Sequence, residues 1–366
     1  MKRIGDIYGK ISSIENCRIA IEKAAQGKKR RDDVTEVIKN KESYAERLQK
    51  MLAEQSYKPT PYRIITVKDG LQRKSREIQI PAFFPDQCIH HALMNILSPI
   101  LEKRMYYWNC GSRKGKGIAH AKKGVERATL HDQKHAKYAV KLDISKCYAS
   151  VDNDRLIAAF RRIIKDNSAL WLITTIIHSC EGLPIGNYTS AWFCNFYLTP
   201  IDILVKDEHK IRYFIRYIDD MVFIDSSKRK LRKAVKEVAE YAKSILGLSI
   251  HTNWNVFKIR RHGDGKKNRH IDFVGYCFCV GYTTLRKRNA LAIMRQSRKI
   301  QNRQREGQEI SFRAAAGFLS RAGQLTHCKA YGLRQKYVNP INISKLKEVI
   351  KSESASQRRA GGRVFS

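Results

Sequence analysis

Phe214-Ile215-Arg216-Tyr217-Ile218-Asp219-Asp220-Met221-Val222-Phe223-Ile224 is the stretch whose reading decides the fold. Two adjacent carboxylates stand between runs of apolar, β-branched and aromatic residues. Such runs predict strands, with the charged pair at the turn of a hairpin. Taken alone, Asp219-Asp220 reads as a solvated turn, but adjacent like charges repel and a cation is the usual relief. Far upstream lies a second strand-like run, Tyr138-Ala139-Val140-Lys141-Leu142-Asp143-Ile144, with a single acid, Asp143, late in it. Hard divalent cations take carboxylate oxygens and share their remaining positions with water and phosphates. A pair of such ions can activate an attacking hydroxyl and stabilise a leaving phosphate oxygen. Asp143, Asp219 and Asp220 supply the residue types for that chemistry, provided the fold pairs distant strands.

The rest of the chain narrows the choice. Seventy-one Lys and Arg against 34 Asp and Glu give a net charge of +37 over 366 residues. Self-repulsion of that size destabilises a compact state unless a polyanion neutralises it. Nucleic acid is therefore the expected partner, with binding that falls steeply with salt. A ribosomal or chromatin-type structural protein would share the charge but has no need of the acidic constellation. The nine cysteines are odd in number and lack paired C-x₂-C spacing, which argues against both a disulfide framework and a zinc site. The start, Met1-Lys2-Arg3-Ile4-Gly5-Asp6, carries no apolar signal and no run approaches a membrane span, so cytoplasmic residence is the expectation.

Leu183-Pro184-Ile185-Gly186-Asn187 lies between the two acidic stretches. The order Asp143-x-x-x-x-Tyr148, then this segment, then Tyr217-Ile218-Asp219-Asp220, resembles the palm of a reverse transcriptase. Tyr-x-Asp-Asp alone is a weak signal; the ordered set is a strong one. The resemblance extends from about Tyr57 to Tyr337 and implies an α+β right-hand polymerase with an antiparallel palm sheet and a helical thumb. It divides the chain into an N-terminal helical extension (1–56), fingers (57–136), palm (137–284, with a finger-like helical segment at about 153–180), thumb (285–351) and a disordered tail (352–366).

The same resemblance implies an RNA-directed DNA polymerase that uses deoxynucleoside triphosphates and two Mg²⁺ ions, with Asp143, Ile144, Asp219 and Asp220 as the metal site. Template RNA and the cDNA/RNA duplex are the implied partners. Tyr148 stands where the family carries an aromatic residue under the sugar, so it would exclude a ribose 2′-hydroxyl. Arg76 and Lys74, on a basic hairpin joining Tyr62–Val67 to Arg76–Pro81, are candidates for holding the triphosphate. Arg113 and Lys116, in the loop Cys110-Gly111-Ser112-Arg113-Lys114-Gly115-Lys116-Gly117, are implied nucleotide or nucleic-acid contacts. Lys258 matches a lysine that can approach the pyrophosphate leaving group; a surface role is the other reading.

Ile185 and Gly186 also fall at the nucleotide. Many reverse transcriptases carry glutamine where this chain has Ile185. An aliphatic residue there, followed by Gly-Asn-x-Thr-Ser, is similar to the enzymes of diversity-generating retroelements in the group-II-intron-like bacterial lineage. Those copy an RNA with frequent errors at adenines and work with a small basic accessory protein. Losing a polar contact lowers the penalty for a misfit. The motif usually ends Ser-Gln, whereas this chain has Ser190-Ala191. An anti-phage reverse transcriptase, and a non-catalytic RNA-binding or maturase-like module, are the competing readings. No Val-Thr-Gly thumb motif and no nuclease-like cluster after the thumb are found, which disfavours a retron enzyme and a self-mobilising intron protein.

Helices are further expected from Ser43 to Gln55, Asp86 to about Ser98 with Pro99 ending or kinking it, Asn153 to Asp166, Trp192 to about Leu204, and Lys228 to Leu246. Strands are expected over Ser249–Lys258 and in a hairpin at Ile271–Phe278. Thumb helices follow at Met294–Gln304, Ser311–Leu325 and around Ile343–Ile350. The cluster Lys28-Lys29-Arg30-Arg31 reads equally as a solvated loop and as a phosphate contact.

Overall fold

A computed structural model describes residues 3–68, 75–264 and 268–362. It forms two compact units, Met1–Gly124 with Val140–Val256, and Val125–Ala139 with Phe257–Ser366.

The first unit opens on helices. Ser13 caps Ile14–Ala25 by accepting from the Asn16 amide (3.2 Å), which satisfies a donor the helix leaves unpaired. Ala20, Ile21 and Ala24 make its buried stripe, and Lys41–Ala53 answers with Ala45, Leu48 and Leu52. Ile14–Ala25 packs on Lys41–Ala53 and on Cys88–Glu102. Asn16, buried at that junction, donates from one amide nitrogen to the carbonyls of Ile11 (2.8 Å) and Ala92 (3.0 Å). Pro99 does not end the Cys88–Glu102 helix. Leu97 and Leu101 flank it and are fully buried, and that burial offsets the hydrogen bond a proline forfeits.

Two helices of this unit rest on aspartate caps. Asp152 caps Asn153–Ile163 through the Arg155 amide (3.0 Å). Asp166 caps Asn167–Ile177 through the Ala169 amide (3.1 Å), while its second oxygen accepts from the amides of Ile7 (2.8 Å) and Tyr8 (2.9 Å). The helix expected from Trp192 to Leu204 is instead two, Ser190–Tyr197 and Thr199–Ile203. Pro200 fits the first turn of a helix, where no amide is missed, but not its middle.

Arg63–Lys68 (β1) pairs antiparallel with Ser75–Ile80 (β2), from Arg63↔Ile80 to Lys68↔Ser75. Tyr138–Asp143 (β3), Tyr213–Tyr217 (β4) and Asp220–Asp225 (β5) share a sheet with β5 between β4 and β3. The β4–β5 register runs antiparallel from Tyr213↔Ile224 to Tyr217↔Asp220. Lys228–Ser244 packs against β5, burying Leu231, Ala234, Val235, Val238 and Ala242.

In the second unit only Phe257–Lys258 (β6) of the strand expected over Ser249–Lys258 forms; it pairs with Tyr138 and Ala139 of β3. Ile271–Phe273 (β7), Tyr276–Cys279 (β8) and Tyr282–Leu285 (β9) make an antiparallel meander, one strand more than the expected hairpin. The helices Lys287–Arg305, Phe312–Ala322, Tyr331–Tyr337 and Ile343–Gly362 follow. Gln296 joins the first two by donating to the Ala314 carbonyl (3.0 Å) and accepting from Arg321 (2.6 Å). The last helix runs through residues 352–362 of the tail expected to be disordered, and residues 363–366 of that tail lie outside the described ones. Ser352 to Ala360 holds neither proline nor a β-branched residue, and its Glu, Gln, Arg and Ala are compatible with helix. Among the described residues no helix is long and apolar enough to cross a membrane.

Candidate active site

The turn between β4 and β5 consists of Ile218 and Asp219, with Asp220 opening β5 opposite Tyr217. Ile218 has φ +58°, a left-handed conformation that a β-branched side chain avoids. On β3, Lys141 and Asp143 share one face because side chains alternate along a strand. Hydrogen bonding of β3 to β5 brings that face beside the turn.

Asp219 and Asp220 both feel the charge of Asp143. Burial, then the charge of Asp143, holds the Asp219 carboxyl above the usual carboxylate range. Asp220 is pushed up to about 7, chiefly by burial, with Asp143 and Asp219 adding to the rise and Lys141 opposing it. Lys141 Nζ lies 2.9 Å from Asp220 Oδ2. The other oxygen, Asp220 Oδ1, is buried without a hydrogen-bond partner. Asp143 is half exposed, with His251 Nε2 3.8 Å from its Oδ2. A partnerless buried carboxylate oxygen beside two further carboxylates is the donor set a hard divalent cation requires. The Ile144 side chain is buried and apolar, so this residue can offer a cation only its main-chain carbonyl.

The segment around Ile185 joins this centre to the β1–β2 hairpin. Tyr148 sits in a short turn after β3, and its carbonyl accepts from the Leu183 amide (2.8 Å). Burial raises its phenol, with Cys194 and Asp219 adding to the effect. The Gln79 amide donates to the Ile185 carbonyl (2.8 Å), while the Ile185 side chain stays exposed. Gly186 has φ +143°, and a Cβ there would fall 2.1 Å from the Gln79 carbonyl oxygen. Only glycine allows so close an approach. Asn187 donates to the Tyr62 hydroxyl (2.8 Å), which lies 2.6 Å from Ser179 Oγ. Arg76 on β2 is exposed, and its charge pulls the Asp219 carboxyl downward. Lys74 lies outside the described residues.

Arg113 is a correction. Expected to face nucleotide or nucleic acid, it is buried. Its Nε donates to Glu102 Oε2 (2.7 Å), Nη1 to the Tyr106 and Asn109 carbonyls (2.7 Å each), and Nη2 to Glu102 Oε1. A guanidinium so paired braces its loop and has no fork left to offer a phosphate. Lys116 also leans on Glu102 (3.5 Å) and over the Tyr107 ring. Lys258 is exposed on β6, in the second unit. Lys28 bonds Gln87 Oε1 (2.5 Å).

Sequence reasoning missed Lys141, His251 and Arg216. Arg216 is fully buried one residue before Tyr217, and its guanidinium grips Asp202 through two bonds of 2.6 Å. A lone arginine in a strand otherwise made of core residues was the signal, since such a charge must be paired or kept in water.

A family model for reverse transcriptase (RNA-dependent DNA polymerase) matches residues 68–278. No curated protein matches the sequence. Among solved structures, telomerase from Candida tropicalis in complex with a TWJ fragment of telomeric RNA is 12% identical, over 88% of this chain and 59% of that one, with a TM-score of 0.47. The corresponding complex from Candida albicans is 11% identical over 79% and 58%, with a TM-score of 0.48. Apo telomerase from Candida tropicalis, truncated from its C-terminal domain, is 16% identical over 65% and 59%, with a TM-score of 0.42. The chain thus spans under two thirds of each telomerase chain.

Proposed function

Because the chain belongs to the reverse transcriptase (RNA-dependent DNA polymerase) family and has its right-hand polymerase fold, we propose that it extends a primer 3′-hydroxyl with deoxynucleotides along an RNA template. The observation that carries this reading is the crowding of Asp143, Asp219 and Asp220, with Asp220 Oδ1 buried and unpartnered. These carboxylates and the Ile144 carbonyl would hold two Mg²⁺ ions. When bound, the ions make the primer hydroxyl a better nucleophile and neutralise charge on the leaving pyrophosphate. Arg76 orients the triphosphate, Tyr148 closes the space a 2′-hydroxyl would need, and the Ile185–Gly186 turn lies along the incoming base. The excess of Lys and Arg holds the template and the cDNA/RNA duplex by their phosphates.

Within this activity we assign the chain to the diversity-generating type, copying a cognate structured RNA with errors at adenines and aided by a small basic accessory protein. Support comes from Ile185, whose exposed aliphatic side chain offers the nucleotide no hydrogen bond. Primer extension on an RNA template with Mg²⁺ tests the activity. Asp219→Ala with Asp220→Ala should abolish synthesis, and retained synthesis would remove the catalytic assignment. Sequencing the product tests the type: errors spread evenly over the four template bases would exclude it and leave the anti-phage reading.

A further inference from the structure

A buried ion pair is a poor way to stabilise a core, since apolar residues of similar volume often do as well. Arg216 nevertheless lies fully out of water between Asp202 and Asn195, which are also buried. Each of its five N–H groups has an acceptor. Nε and Nη2 donate to the two Asp202 oxygens (2.6 Å each), Nη2 also to the Asn195 carbonyl (3.2 Å), and Nη1 to Asn195 Oδ1 (3.1 Å) and the Ile218 carbonyl (3.0 Å). Asn195 in turn donates to the Gly111 carbonyl (2.8 Å).

The bond to Ile218 is the informative one. That residue is the left-handed corner of the acidic turn, at φ +58°. Its other side is pressed by residue 111, where a Cβ would fall 2.3 Å from Ile218 Cγ1 and 2.9 Å from its nitrogen. The backbone here is tied as well, since the Arg216 amide donates to Trp108 (3.0 Å) and its carbonyl accepts from Cys110 (2.7 Å). Disfavoured conformations persist only where their surroundings over-determine them. Here the surroundings are a guanidinium with a full set of partners, the close approach of Gly111 and the backbone ties to Trp108 and Cys110.

We propose that Arg216, itself fixed by Asp202 and Asn195, is a positioning residue that holds Ile218 in its left-handed conformation and thereby sets Asp219 against Asp143. The inference rests on the reading of Asp219 as a metal-holding carboxylate. It makes the β4–β5 turn a device assembled from the helices Ser190–Tyr197 and Thr199–Ile203, not from the hairpin alone.

The test is a coupling measurement on the whole chain. Arg216→Lys keeps the charge but loses the planar fork. It should lower kcat for primer extension about 100-fold, the scale of an ångström misplacement, while KM for the deoxynucleotide changes less than about threefold. Mn²⁺ binding to the protein without nucleic acid, read by electron paramagnetic resonance, should weaken about tenfold. The same substitution is then made in an Ile218→Gly background, where the left-handed corner has no steric cost. There the kcat penalty should shrink to about tenfold or less. An equal penalty in both backgrounds would overturn the proposal, since a residue that merely fills the core gains nothing from glycine at 218. If Arg216→Lys does not fold, Asp202→Asn is measured the same way. Asp219→Ala separates the two layers: an active variant removes the reading of the site, whereas an inactive one combined with equal penalties removes only the role of Arg216.

Discussion

Replacing Gly186 by alanine should damage the enzyme through one added carbon. That Cβ would sit 2.1 Å from the Gln79 carbonyl oxygen and 2.9 Å from the Gln79 carbonyl carbon. Both are backbone atoms of β2, so no side chain can swing aside, and relief requires the strand and the turn to part by an ångström or more. Parting breaks the Gln79–Ile185 hydrogen bond of 2.8 Å, worth about 1 kcal/mol. The φ of +143° adds about 1–3 kcal/mol for a residue with a side chain. The total, about 2–4 kcal/mol, should lower the melting temperature by roughly 4–15 °C for a unit of this size. In steady-state primer extension, KM for the deoxynucleotide should rise together with a fall in kcat, because Arg76 rides on the same strand. Calorimetry and kinetics on the purified variant suffice. A melting temperature within a degree of the parent and unchanged KM would refute the argument that this contact seats the β1–β2 hairpin.

Three further outcomes follow from particular side chains. Arg113→Met should cost about 2 kcal/mol in denaturant unfolding, below the range for a wholly buried pair because Glu102 is partly exposed. It should leave the salt dependence of RNA binding unchanged, whereas a phosphate contact would reduce that slope by about one. In metal-free protein, Asp220 binds its proton more tightly folded than unfolded, so stability should fall as pH rises from about 4 to about 7 and then level off. Asp220→Asn should remove about 4 kcal/mol of that fall, and a parallel pH profile in the variant would contradict it. Asn16→Ala removes the donor to the Ile11 and Ala92 carbonyls and the acceptor of the Asn95 amide and should cost about 2 kcal/mol by chemical denaturation.

The hairpin at 214–224 was legible because β-branched and aromatic residues on either side of a charged pair leave few alternatives. The helix Lys228–Ser244 was legible because its apolar residues recur at helical spacing along a polar background. Burial of individual charges was not. Arg113 sits among glycines and lysines that look solvated, and only tertiary packing against Glu102 distinguishes it from Lys114. Arg216 carried a readable clue in its apolar neighbours, but its partners Asp202 and Asn195 lie on other elements, which no local pattern reveals. Lys141 could be placed on the face of Asp143 by alternation alone; that it would reach Asp220 depended on strand order. Pro99 did not end its helix because helix propensity is local, while the burial of Leu97 and Leu101 that offsets the lost hydrogen bond is not.

Asp166 links parts of the chain that synthesis separates by a long interval. One of its oxygens starts the helix Asn167–Ile177 and the other gathers the amides of Ile7 and Tyr8, with Ile4 paired alongside to Ile163 and Lys165. The leading residues therefore behave as a late-arriving fastener. A nascent chain must keep them available until residue 166 has left the ribosome, and clipping them off would first be felt midway through the sequence, where that helix would lose its anchorage.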